Sequence, residues 1–271
     1  MRVGYLGDIK VTRKTLDDSL SRFTEESARE KLNYLILCGG ISEDFNTTLV
    51  FVNNLRNTLY NHKIKLRFIP GNTDFYYNIP VVNKQDNFMN IRKMFLDNQS
   101  CLISNPIVTS DVRIIGTESW YDYSLYRGSP VSLKSITKKS KFFGLMKNKD
   151  VKYITDENDY MLGVKNTFDY QYSKKCKEDL IHSLKEYERK YMKPLHSVVV
   201  SYFYPIQNFL SKGIYEGYFG TFKGSDLLDV LNQFYITEYV VGLSSSVDDF
   251  LLNRVRFTSA KNKMIVRDYV K

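Results

Sequence analysis

The chain is 271 residues long and carries 39 Lys and Arg against 30 Asp and Glu, a formal charge of +9. Its 43% hydrophobic and 25% charged residues exclude collagen, coiled coil and extensive disorder, and no apolar run approaches the ~18 residues of a membrane span. Cys38, Cys101 and Cys176 are too few and scattered for a disulfide framework or zinc site, and the N-terminus reads into a strand rather than a signal peptide, so a cytoplasmic protein is expected.

Arg2–Leu6 is a short strand ending in Gly7-Asp8. Leu16, Leu20, Phe23, Ala28 and Leu32 recur at near-helical spacing, and Tyr34–Cys38 is the continuous apolar strand of a sheet buried on both faces. Phe45, Leu49, Val52, Leu55 and Leu59 predict a second amphipathic helix, and Ile64–Ile69 a third strand stopped by Pro70-Gly71. This order describes two βαβ units on a parallel sheet. Asn87–Leu96 reads as a helix, and Cys101–Ile103, Ile107–Thr109 and Val112–Gly116 as short strands of a meander. Residues 120–168 show no sustained period and read as an irregular excursion. Tyr172, Cys176, Leu180, Leu184, Tyr187 and Tyr191 predict a long helix, and Ser197–Phe203 a buried strand. Leu227–Phe234 reads as a helix, Tyr239–Gly242 as a strand, and Val255–Ser259 with Met264–Arg267 as a terminal hairpin. No repeat or linker divides the chain, so a single domain over residues 1–271 is expected.

In parallel α/β sheets ligands bind outside the carboxyl ends of the strands. Those ends read Gly7-Asp8-Ile9-Lys10, Cys38-Gly39-Gly40-Ile41-Ser42 and Pro70-Gly71-Asn72-Thr73-Asp74, all rich in small, polar and turn-forming residues. Their order and context resemble the calcineurin-like metallophosphoesterase family. Val198-Val199-Val200-Ser201-Tyr202 is similar to that family's buried strand running into a Ser-His turn, and Val240-Val241-Gly242-Leu243-Ser244-Ser245 to its Gly-His-x-His. The resemblance implies a four-layer α/β sandwich, with two mixed β-sheets flanked by helices. It also implies an ancestral two-metal site, in which paired ions polarise a phosphoryl oxygen and generate a hydroxide nucleophile.

By that resemblance the metal ligands fall at Asp8, Lys10, Gly40, Asn72, Tyr202, Leu243 and Ser245, with Thr73 in place of the histidine beside the phosphate. Only Asp8 and Asn72 are ligand types the family uses. Gly40 has no side chain where the family has a bridging carboxylate, and His62, His182 and His196 lie at no motif. Lys10 is expected to put its ammonium in the space of a metal, neutralising Asp8; at ~4 Å and an effective dielectric of ~20 it would repel a divalent ion by on the order of 8 kcal/mol. No cofactor is therefore expected. The reading is a degenerate family member acting as a binding or regulatory protein, holding a phosphate-bearing ligand through Asp8, Lys10, Asn72, Thr73, Tyr202, Ser245 and backbone N–H groups. Asp8 and Asn72 equally fit a purely local role, as a strand-end turn former and a tolerant left-handed residue. Asp74 is expected to brace its loop.

The alternative is a phosphoesterase with a remodelled Mn, Mg or Fe site, for which Glu43, Asp44, Asp248 and Asp249 supply further oxygens; against it, Asp44 reads as a helix N-terminus and Asp248-Asp249 as an exposed turn. Partner contacts are expected at Tyr121, Tyr123, Tyr126 and Arg127 and the lysines from Lys134 through Lys152, for a protein or, more weakly supported, a nucleic acid. Cys38, before the Gly39-Gly40 turn, reads as a core residue rather than a nucleophile.

Overall fold

The alternation of strand and helix expected for the first 75 residues is found in the computed structural model, which describes residues 1–77, 83–122, 125, 168–190, 196–209, 224–243 and 249–269. Strands β1 (Arg2–Leu6), β2 (Tyr34–Cys38) and β3 (Lys65–Ile69) are parallel and in register, with Gly4 opposite Leu35 and Leu35 opposite Leu66. Helices α1 (Leu16–Arg29) and α2 (Phe45–Asn61) connect them. The α2 start is set by Asp44, whose carboxylate accepts from Thr47 N at 2.9 Å and Thr47 Oγ1 at 2.7 Å. Its apolar stripe of Phe45, Phe51, Val52, Leu55 and Leu59 is buried.

Helix α3 (Lys84–Leu96), capped by Asn83, leads to the second sheet, which runs β4 (Ile107–Val108), β5 (Val112–Gly116), β6 (His196–Ser201), β7 (Glu238–Val241), β9 (Val255–Ser259) and β8 (Asp249–Leu252) in spatial order. Helices α4 (Phe168–Lys190) and α5 (Leu228–Gln233) lie between these strands in sequence. The result is two mixed sheets flanked by helices, the architecture expected.

Two sequence assignments change. The expected terminal hairpin does not form: β9 pairs with β7 and β8, while β10 (Ile265–Asp268) crosses to the first sheet and pairs antiparallel with β1. Residues 101–103 are a turn touching β3 through one bridge at Phe68 and Cys101, not a strand of a meander. Of that expected meander only β4 and β5 are antiparallel; β5 runs parallel to β6.

The sheets meet at their carboxyl ends. A Cβ on Gly7 would lie 2.5 Å from Gly242 Cα, and one on Gly242 would lie 1.6 Å from the Cys38 carbonyl oxygen. No side chain fits this seam. A polar chain also spans the sheets: Tyr5 Oη bonds to Tyr269 Oη at 2.8 Å, Tyr269 donates to Glu238 at 2.9 Å, and Arg267 donates to Glu238 at 2.9 Å. Among the described residues no helix is long and apolar enough to cross a membrane.

Candidate functional site

The carboxyl ends of β1, β2, β3, β6 and β7 converge, as topology requires, and bring together Asp8, Lys10, Gly40, Asn72, Thr73, Tyr202 and Leu243. Asp8 (φ 54) and Lys10 (φ 50) both take left-handed backbone, so the chain turns sharply outward after β1. The turn is sewn to β2, with Asp8 N donating to Gly39 O at 2.9 Å and Lys10 N to Gly40 O at 3.0 Å. Asp8 rather than Asn72 is therefore the left-handed residue of the pair; Asn72 opens a 3-10 turn, Asn72–Phe75.

Tyr202 decides the shape of the site. Its ring, 3% exposed, lies against the backbone of three glycines. A Cβ on Gly39 would come within 2.7 Å of Tyr202 Cβ, one on Gly71 within 2.7 Å of Cγ and Cδ1, and one on Gly40 within 2.8 Å of Cε2. Tyr202 Oη donates to Asp8 Oδ1 at 3.4 Å, a long bond. The ring thus stands beside Gly40, where the family resemblance places a bridging carboxylate.

This corrects the expectation for Lys10. Its ammonium is 3.7 Å from Asp8 Oδ1, but its side chain is 54% exposed, so it neutralises Asp8 from the rim. The interior beside Gly40 is held by an aromatic ring, not by a cation. Leu243 is buried, its amide donating to Tyr202 O at 2.8 Å, which joins β6 and β7 at the plug. Thr73 is half-buried, and among the described residues its hydroxyl has no hydrogen-bond partner. Among the described residues no group of three or more His, Cys, Asp or Glu side chains is placed to hold a metal ion.

Asp74 does brace its loop. It is fully buried and accepts from Gly71 N at 2.8 Å, Ser42 N at 2.9 Å and Thr48 Oγ1 at 2.9 Å, tying the ends of β2 and β3 to α2. Burial outweighs these bonds and pushes its pKa up to about 6. Because the folded state holds this proton more tightly than the unfolded chain, the stabilisation is complete below the ordinary carboxyl pKa and is lost as pH rises through about 6. Asp74→Asn is expected to remove that slope from stability measured by urea unfolding between pH 4 and pH 7. It should also cost about 1–3 kcal/mol, since the carboxamide must turn an NH2 toward a backbone N–H.

Two solved structures share the fold. The phosphopantetheinyl hydrolase PptH from Mycobacterium tuberculosis superposes with a TM-score of 0.65 at 13% identity, covering 96% of this chain and 89% of that one. A dimetal phosphatase from Danio rerio gives 0.53 at 13% identity, covering 96% and 86%. The fold is metallophosphoesterase-like. No family model and no curated protein matches the sequence.

Within this metallophosphoesterase-like fold several candidates do not join the site. Asp44 is spent on its helix cap. Asp249, expected in an exposed turn, begins β8 and is held below the ordinary carboxylate range by hydrogen bonds from Arg256. Tyr121, expected as a partner contact, is fully buried and stacks on Trp120 with ring centroids 5.3 Å apart. Ser245, Asp248, Tyr123, Tyr126, Arg127 and the lysines of 134–152 lie outside the described residues. Cys38 is a fully buried core thiol whose pKa burial raises. The backbone cradle is largely committed too, since Lys10, Val11, Ser42 and Gly71 all donate their N–H groups within the protein.

Sequence reasoning missed the plug. It identified Tyr202 as a replaced ligand but not as a space-filling group. The available signal was three glycines, Gly39, Gly40 and Gly71, at two adjacent strand ends facing one aromatic residue.

Proposed function

We propose that this chain is a degenerate metallophosphoesterase-fold protein without two-metal phosphoesterase activity, acting as a binding or regulatory protein. The observation that carries the reading is the Tyr202 ring packed on Gly39, Gly40 and Gly71. The donor set also argues against a two-metal fit: a glycine at the bridging position, a leucine at Leu243, and an Asp8 already answered by Lys10 and Tyr202. The named neighbours are a hydrolase and a dimetal phosphatase; at two of the ligand positions that the family resemblance implies, this chain has Gly40 and Leu243. Among the described residues, the half-exposed Lys10 ammonium and the Thr73 hydroxyl, which has no partner there, are placed to meet a ligand. Three buried free thiols, Cys38, Cys101 and Cys176, fit a reducing cytoplasm.

The test is calorimetric titration of the purified protein with Mn²⁺ and with Mg²⁺, alongside hydrolysis of an aryl phosphate mono- and diester. No stoichiometric heat and no metal-dependent turnover are expected. Stoichiometric binding, with turnover lost in Asp8→Ala, would establish the remodelled phosphoesterase instead.

A further inference from the structure

The amino ends of β2 and β3, opposite the crevice, carry a second concentration of charge. Helices α1 and α2 both finish there, and in the same way. Lys31 N donates to Ala28 O at 3.0 Å and Leu32 N to Ser27 O at 3.1 Å; Lys63 N donates to Tyr60 O at 3.0 Å and Ile64 N to Leu59 O at 3.1 Å. Each is a Schellman turn, whose left-handed residue is usually glycine. Here both are lysines, Lys31 with φ 51 and Lys63 with φ 60. A side chain in that conformation costs stability relative to glycine.

The two turns are neighbours. Lys65 N donates to Asn33 O at 3.0 Å, and Lys65 pairs with Tyr34 across the strands, its ammonium 5.6 Å from the Tyr34 ring centre. Arg29, Lys31, Lys63 and Lys65 therefore share one edge, and all four are exposed. None of them forms an ion pair with another described residue; Glu30, beside Lys31 in the chain, is held by Arg2 at 2.9 Å. On the same edge Tyr60 is 80% exposed, more than any other large hydrophobic side chain described. A lysine at a helix end suits the helix dipole, but that does not account for Lys65, which stands on a strand.

We propose that this edge binds single-stranded nucleic acid, with phosphates on Arg29, Lys31, Lys63 and Lys65 and a base stacked on Tyr60. Unpaired cations beside an exposed aromatic ring suit a flexible strand, in which every nucleotide brings one charge and one stacking face. A membrane surface would call for an apolar anchor, whereas the residues between these cations include the exposed, polar Asn33, Asn61 and His62. The surface lies at the other end of the sheet from Asp8 and Tyr202, so it does not depend on what the crevice holds.

The test is fluorescence anisotropy of labelled oligo(dT) and oligo(U) titrated with the full chain between about 50 and 200 mM salt. Log affinity against log salt should fall with a slope of about −2 to −3, from three or four phosphates at ~0.7 each. Replacing both left-handed lysines, Lys31→Gly with Lys63→Gly, should cut that slope by about 1.4 and weaken binding about 25-fold near 0.1 M salt. Its urea midpoint should match or exceed the parent's, because glycine suits both turns, so the loss is not one of folding. Lys65→Gln, which touches neither turn, should weaken binding about fivefold, and Tyr60→Ala should weaken it with the slope unchanged. No binding, a flat salt response, or variants that bind like the parent would overturn the proposal. So would binding to phosphatidylserine vesicles in preference to either oligonucleotide.

Discussion

Replacing Glu118 with Gln is expected to destabilise the protein by about 3–5 kcal/mol, the cost of stranding a buried charge. Glu118 lies just past β5, its side chain 3% exposed, and takes Arg92 of α3 in a close ion pair, with Arg92 Nη2 3.1 Å from Oε2 and Nε 3.1 Å from both carboxylate oxygens. Arg92 also donates to the Tyr172 hydroxyl and lies 3.6 Å from Asp179, while the Cys176 thiol donates to Glu118 at 3.7 Å. One carboxylate therefore clamps α3 and α4 to the end of the sheet. Burial, and then the Glu118 charge, push up the Tyr172 and Cys176 pKa values, and Glu118 keeps the Arg92 guanidinium charged against burial. Gln keeps the shape but leaves Arg92 without its main counter-charge. Equilibrium unfolding in urea measures the loss. An Arg92→Met, Glu118→Leu pair should recover much of it, because apolar replacements of both partners leave no charge behind.

Gly40→Asp restores the residue type that the family resemblance places there, yet it should weaken the fold rather than build a metal site. Its Cβ would sit 2.8 Å from the Tyr202 ring and 3.0 Å from Asp8 Oδ1, on a backbone with φ +62. Overpacking of this kind costs about 1–3 kcal/mol, left-handed backbone adds to it, and the new carboxylate faces Asp8. In a Tyr202→Ala background the clash with the ring should vanish, leaving the close approach to Asp8. A double-mutant cycle on urea midpoints should then give a favourable coupling of about 0.5–3 kcal/mol. Purely additive effects would show that the ring does not fill the space claimed for it.

The parts of the fold that were legible in sequence are those where both faces of a strand are buried. Tyr34–Cys38 could be read because all but its first residue is fully buried, and α2 because its apolar residues fall on one stripe. Strand β8 was missed because Asp249, Phe250, Leu251 and Leu252 alternate between exposed and half-buried at a sheet edge, leaving no core-facing run to detect. The division of β9 and β10 between sheets was illegible because it depends on residues 260–262 passing beside Gly7, with Asn262 N donating to Gly7 O at 2.8 Å. At the site, residue identities were readable and directions were not. Lys10 and Tyr202 both replace expected ligands, but only the left-handed turn at Asp8 and Lys10 sends the ammonium outward and leaves the interior to the phenol.

The glycine seam at Gly7 and Gly242 has a consequence for access. With backbone touching backbone one residue before Asp8 and one before Leu243, the two halves are riveted where a mouth would otherwise gape. Among the described residues, a small molecule entering the space beside Gly40 would have to displace the Tyr202 side chain rather than part these two strand ends.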